Sequence, residues 1–214
     1  MQLGLCQMHL GRWGIVLFHP GCMICLSSGK GMAEMEDEKM LRLRPFRVPD
    51  AKAIITWQRE PEEFYRWTAG IMGTFPVSEQ RLLEATSARE DNVSYFPMTA
   101  FDETGPVGFF TIRKPGEDDK KVSLGYVIVD PDKRGMGYGR QMLRLGLKFI
   151  FEVYGADEVS LDVFDSNPRA YNCYKAIGFR ETGNQEPWTA GNYTWNYIEM
   201  SISSKEHRNR TIAE

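Results

Sequence analysis

"VIVDPDKRGMGYGRQML", residues 127–143, decides how this chain is read. Val127, Ile128 and Val129 close an apolar run with strand character, and a helical pattern begins near Arg140. Between them Gly135, Gly137 and Gly139 stand on alternate positions. Glycines cost conformational entropy on folding, so a strand-to-helix turn that concentrates them implies close contact with a partner. The first amides of a helix lack internal acceptors and sit at the positive end of its dipole, which makes such a turn an anion site. Arg134 and Arg140 flank it. Two familiar phosphate loops are excluded. No Lys-Ser or Lys-Thr follows at P-loop distance, and Arg140 stands where G-x-G-x-x-G needs its last glycine. The other reading of the stretch is a turn that only lets helix and strand pack closely.

The surroundings read as one α/β domain. Leu143, Gly146, Leu147, Ile150, Phe151 and Tyr154 form a helical apolar stripe that Gly155 terminates. "LRLRPFRV" alternates as a half-buried strand, and Pro49-Asp50 opens a helix carrying Ala51, Ile54 and Ile55. Ser78 caps a second helix. "SYFPMTAF" and "VGFFTIR" form a hairpin about residues 102–105, followed by strands at 122–129 and 158–164, a short helix, and two closing strands ending near Ile202. The expected limits are a leader over 1–40, disordered or not native to the protein, a domain over 41–202, and a polar tail over 203–214.

Composition narrows the class. The chain has 214 residues, 42% of them hydrophobic, and a formal net charge of −3, against a general nucleic-acid binder. No apolar run reaches the roughly 18 residues of a membrane helix. Four cysteines make no disulfide framework, and Cys22-x-x-Cys25 lacks a second pair to complete a zinc site. The expectation is a cytoplasmic protein with no metal, no nucleic acid and no membrane partner.

Two linked blocks then resemble the Gcn5-related N-acetyltransferase (GNAT) superfamily. Arg134, Gly137 and Gly139 meet its coenzyme pattern [RQ]-x-x-G-x-[GA], and "NPRAYNCYKAIGF" resembles its second block through Asn167, Ala170, Tyr174, Gly178 and Phe179. The first helices are loosely similar to the ribosomal-protein N-acetyltransferase branch. The resemblance implies a mixed, mostly antiparallel sheet splayed between two neighbouring strands and flanked by helices. It implies acetyl-CoA as co-substrate, with its pyrophosphate on the backbone amides of the loop Arg134, Gly135, Met136, Gly137, Tyr138, Gly139 and Arg140. The pantetheine arm would run along Val127, Ile128 and Val129, where a free N–H could also stabilise an oxyanion.

The remaining residues each carry two readings. Asn167 before Pro168 is an N-cap with proline at the first helical position, or a coenzyme contact, or both. Tyr174 lies on an apolar stripe, yet its hydroxyl could protonate a leaving thiolate. Asp162 stands twelve residues ahead of Tyr174, the spacing at which relatives in that branch carry an acid. It is therefore a general base, or a carboxylate satisfied by backbone and basic neighbours. A base matters for a lysine-like acceptor, because an amine of pKa near 10.4 is only about 0.1% neutral near pH 7.5. The acid-and-aromatic segments 57–70 and 184–195 suit a cationic acceptor, as a small-molecule amine or a peptide or protein N-terminus; in the other reading, which any single residue favours, the acids are solvated and the aromatics pack in the core or a lid. The expected activity is N-acetyl transfer by direct attack in a ternary complex, in a monomer or homodimer. The competing class is a non-catalytic acyl-CoA sensor on the same fold.

Overall fold

In the computed structural model, residues 41–87, 95–114 and 120–213 are described. The expected leader, 1–40, lies outside them. Seven strands form one sheet: β1 (Arg42–Pro45), β2 (Tyr95–Asp102), β3 (Gly105–Arg113), β4 (Lys121–Val129), β5 (Glu158–Phe164), β6 (Arg180–Ala190) and β7 (Tyr193–Ser203). Their order is β1-β2-β3-β4-β5-β7-β6, and β4–β5 is the one parallel pair. A parallel pair needs a crossover, which α4 (Tyr138–Lys148) provides. The helix continues through a wider turn, Phe149–Tyr154, and stops at Gly155 with φ 81°.

β3 reads as the near-unbroken run "VGFFTI" because helices cover both faces there. Phe110 and Ile112 pack with Met142, Leu143 and Leu147 of α4, and with Tyr174 and Ile177 of α5 (Pro168–Ile177). Phe109 packs on the opposite face with Ile54 of α1 (Ala51–Ile54), Phe64 of α2 (Pro61–Thr68) and Leu82 of α3 (Glu79–Ser87). Full burial of such a phenylalanine contributes roughly 1.5–3 kcal/mol. Asp50, expected to open α1, also ties it to the sheet. Its carboxylate accepts from Arg44 at 2.7 and 2.8 Å and from Thr99 Oγ1 at 2.8 Å.

Two segments are more regular than their sequence suggested. Pro61 at a first-turn position and Glu62 and Glu63 behind it make α2 a helix. Residues 204–213, expected within a polar tail, form α6 (Ser204–Ala213). Its polarity on all sides hid it from a periodicity reading. Individual contacts hold it instead: the Glu206 carboxylate accepts from Ser203 N at 3.0 Å, the His207 ring packs on Phe151 at 5.1 Å, and Arg210 Nη2 donates to Ala176 O at 2.9 Å.

The sheet forks in the middle. β4 and β5 pair from Lys121↔Glu158 to Leu124↔Leu161 and no further. On the other side of β4, the β3 register slips between Phe109↔Ile128 and Thr111↔Gly125, leaving one extra residue on β4. Tyr126 lies in this bulge with φ 49°. A bulge bends its strand and increases the local twist, here turning the end of β4 away from β5. Trp67 Nε1 of α2 donates to Tyr126 O at 2.8 Å and holds the bend.

Candidate active site

The fork opens into a cleft of about 1170 Å³, above the usual range of ligand sites of roughly 300–1,000 Å³. Both prongs line it, Gly125–Val129 on β4 and Leu161–Phe164 on β5. Lys133, Arg134, Gly135, Gly137, Gly139 and Arg140 line one end. Gly135 and Gly137 adopt φ 81° and 83°, a left-handed conformation that favours glycine. A Cβ at either would meet nothing within 4 Å, so backbone geometry rather than space selects glycine there. Gln141 N donates to Gly137 O at 3.1 Å. The amides of Tyr138, Gly139 and Arg140, one turn earlier, have no carbonyl within the helix to bond.

The expected loop residues do not contribute alike. The Met136 side chain is exposed and stands outside the cleft lining. Tyr138 is buried and its hydroxyl donates to Asp102 Oδ2 at 2.9 Å, so only its backbone faces the turn. Arg134 is already engaged, with Nη1 to Glu63 Oε1 at 3.1 Å and Nε to Val129 O at 3.3 Å. Arg140 lines the cleft and lowers the pKa of Cys173, but burial dominates and pushes that thiol up, which disfavours a cysteine nucleophile. Asn167 caps α5 and lines the cleft. Its Oδ1 accepts from Ala170 N at 3.2 Å, while its amide NH₂ is a donor group.

Tyr174 reaches the cleft from α5 while its ring packs edge-on against Phe179, centroids 6.0 Å apart. Burial, and secondarily Cys173, push its phenol well above the ordinary tyrosine range. The group therefore keeps its proton at neutral pH. Asp162, on the opposing β5 prong, is solvent-accessible within the cleft. Surrounding protein partly dehydrates its carboxyl and raises its pKa, Glu199 raises it further, and Arg113 opposes both. Glu199 is its cross-strand partner on β7, held by Thr182 Oγ1 and Asn184 Nδ2 at 2.7 Å each.

The acid-and-aromatic segments divide between core and cleft. Trp57 and Phe64 are core, whereas Glu63, Trp67, Trp188 and Tyr197 line the cleft. Tyr193 and Trp195 stack on each other at 5.2 Å and lie outside the lining. Arg113, Glu199 and Lys133 were not identified from the sequence. The first two depend on cross-strand register, and Lys133 resembles any surface lysine. Among the described residues no group of three or more His, Cys, Asp or Glu could hold a metal, and no helix is long and apolar enough to cross a membrane.

A forked sheet, a glycine turn at a helix N-terminus and a tyrosine between them coincide with the comparison to known proteins. The sequence pattern of the Acetyltransferase (GNAT) family matches residues 52–179. The chain belongs to that family. It is 36% identical over 74 residues to an N-alpha-acetyltransferase of Sulfurisphaera tokodaii, covering 35% of this chain and 44% of that protein. It is 29% identical over 94 residues to the spermine/spermidine N(1)-acetyltransferase of Bacillus subtilis, covering 42% and 62%. The chain thus spans less than two thirds of the length of these curated relatives. The crystal structure of spermidine N-acetyltransferase from Vibrio cholerae in complex with CoA and spermine superposes with a TM-score of 0.68 at 19% identity, covering 79% of this chain and 98% of that one. At that identity the likeness establishes the fold.

The site fits coenzyme A on its own chemistry. The left-handed glycine turn leads into the unbonded first amides of α4, β4 offers backbone groups that β5 does not pair, and Asn167 lines the cleft with an amide side chain.

Proposed function

We propose that this GNAT chain is an acetyl-CoA-dependent N-acetyltransferase acting on a primary amine by direct transfer. One observation carries the reading: the fork brings the glycine turn, the unpaired β4 edge, Tyr174 and Asp162 into a single cleft. Acetyl-CoA supplies an activated acetyl thioester. The turn from Arg134 to Arg140 binds the pyrophosphate through amides, with Met136 and Tyr138 contributing backbone alone. Val127, Ile128 and Val129 orient the pantetheine arm along the open prong, and an amide there supports negative charge on the reacting carbonyl oxygen. Asn167 anchors the arm from the α5 side.

Asp162 takes the proton from the acceptor ammonium. Its raised pKa makes it a better base than an ordinary carboxylate, with Arg113 opposing the rise from burial and Glu199. Tyr174 donates its proton to the leaving thiolate, a role supported by its place in the cleft, while burial makes the phenol a weaker acid than an ordinary tyrosine. The acceptor enters between α2 and the β6–β7 hairpin, past Trp67, Trp188 and Tyr197, as a small amine or a peptide N-terminus. We place the reaction in the cytoplasm, where acetyl-CoA is available.

The test is free-thiol release from acetyl-CoA with polyamines, amino acids, aminoglycosides and N-terminal peptides, comparing wild type with Tyr174→Phe after both are shown to bind coenzyme A. Acceptor-dependent release that collapses in the variant supports the reading. Tight coenzyme binding with no turnover on any acceptor would favour a sensor. Failure to bind coenzyme A would overturn the assignment of the glycine turn.

A further inference from the structure

Asp102 ends β2 and lies outside the cleft lining, yet it is among the most heavily bonded side chains described. It is 4% exposed, and its carboxylate accepts from Thr104 N at 2.8 Å, Thr104 Oγ1 at 2.6 Å, Lys133 Nζ at 2.9 Å and Tyr138 Oη at 2.9 Å. The Thr104 bonds close the β2–β3 turn, as an aspartate commonly does. That role does not explain the other two, which reach 31 and 36 residues along the chain. Their donors bracket the glycine turn. Lys133 ends the tight turn Pro131–Lys133, just before Arg134, and Tyr138 is the first residue of α4, just after Gly137. Lys133 Nζ also bonds Thr104 Oγ1 and lies 5.6 Å from the centre of the Tyr138 ring.

Arg134–Gly137 has two left-handed glycines and no side-chain cap at Gly137. Its own sequence therefore leaves its amides free to reorient. We infer that Asp102 is a positioning residue: it clamps both ends of the glycine turn from behind and presets the amides that receive the coenzyme pyrophosphate. Asp102 touches no substrate in this arrangement. It acts through Lys133 and Tyr138, and the clamp draws Lys133 Nζ to the hairpin.

The inference rests on the coenzyme assignment above, and its experiment separates the two. Coenzyme A affinity is measured by calorimetry, and kcat/KM is measured with acetyl-CoA and with S-acetyl-pantetheine. The latter has the same thioester and arm but no pyrophosphate. Asp102→Asn keeps the side-chain shape and removes the charge that anchors Lys133. Coenzyme A should bind at least about tenfold more weakly, the loss expected for a charge-assisted hydrogen bond. KM for acetyl-CoA should rise in step with little change in kcat, and kcat/KM for S-acetyl-pantetheine should stay within about twofold of wild type. Tyr138→Phe removes the helix-side bond and leaves the Lys133 ion pair. It should weaken coenzyme A binding in the same direction, which keeps the idea testable should Asp102→Asn fail to fold. Equal losses with both thioesters would mean a general folding defect and overturn the positioning role, as would folded variants that bind like wild type. Wild type that fails to bind coenzyme A would instead remove the transferase reading, and this inference with it.

Discussion

Two alanine substitutions in the glycine turn should part company. At Gly137 the conformation is left-handed, φ 83°, and an added Cβ meets nothing within 4 Å. The cost of Gly137→Ala is therefore backbone strain, about 1–2 kcal/mol. Alanine also restricts the unfolded chain, which offsets roughly 0.4–1 kcal/mol of that strain and leaves a net loss of about 0.5–1 kcal/mol. Gly139 lies within α4, has no left-handed φ, and would place its Cβ 3.7 Å from Cys173 Sγ and from Val129 Cγ2. Those are ordinary contacts, so Gly139→Ala should gain about 0.8–1 kcal/mol of helix propensity. The gap of about 1.5–2 kcal/mol corresponds to roughly 3–8 °C in Tm for a domain of this size. Scanning calorimetry checks the order, Gly139→Ala above wild type and Gly137→Ala below. Coenzyme affinity should split more widely. Relaxing residue 137 out of the left-handed region rotates its flanking amides, so Gly137→Ala should lose at least about tenfold, while Gly139→Ala stays within about threefold. A reversed Tm order, or a folded Gly137→Ala that binds coenzyme A like wild type, would refute the claim that backbone conformation makes this turn an anion site.

Other substitutions test the remaining parts. Tyr174→Phe removes one hydroxyl from a packed ring, and should lower kcat by about 10²–10⁴ with a near-native Tm. Asp162→Asn should also depress turnover on high-pKa amines, but raise thermal stability at neutral pH. A raised carboxyl pKa contributes stability below the ordinary carboxylate range that is lost as pH rises through the folded value, so the gain should vanish as pH falls below that range. Asp50→Asn works in the opposite sense. Burial pushes that carboxyl up, but Arg44, the Arg47 amide and Thr99 outweigh it and hold it below its usual range. Leaving Arg44 unpaired should cost roughly 3–5 kcal/mol at neutral pH by urea denaturation, and the difference from wild type should shrink as pH falls through the folded value.

Local signals made much of this legible. The strand at 158–164, the hairpin about residues 102–105, the Ser78 cap (Arg81 N to Ser78 Oγ, 3.1 Å) and the stop at Gly155 follow from alternation, turn residues and helix ends. Tyr138 is legible as a core ring whose backbone alone belongs to the turn. It stands four residues before Met142, on the stripe that includes Gly146 and Ile150, and that periodicity places its ring in the core rather than the site. Glu199 and Arg113 left no such trace. Glu199 matters because β5 pairs β7 in a register that sets it opposite Asp162, and no local pattern specifies pairing across that separation. Residues 204–213 escaped because periodicity detects buried stripes, and that helix is held by a few individual contacts.

α2 gives the acid-and-aromatic segment its physical role. Opening the sheet forfeits ladder bonds between β4 and β5 and places Tyr126 in a left-handed conformation, a strain of order 1–3 kcal/mol for a non-glycine residue. Such a bend persists only where its surroundings determine it. Trp67 bonds the carbonyl of the strained residue itself and meets its ring at 6.2 Å. Arg66, one residue earlier, donates to Ser166 O at 2.9 Å beyond the far prong, and Trp188 Nε1 donates to Ala69 O at 3.0 Å from the closing hairpin. A single helix is thus fixed to both prongs and to the β6–β7 hairpin, and Glu63 carries the connection on to Arg134 in the glycine turn. Residues that composition alone would assign to substrate capture hold the cleft open. Trp67 and Trp188 thus line the cleft while fastening its frame, and Asp162 lines it from β5.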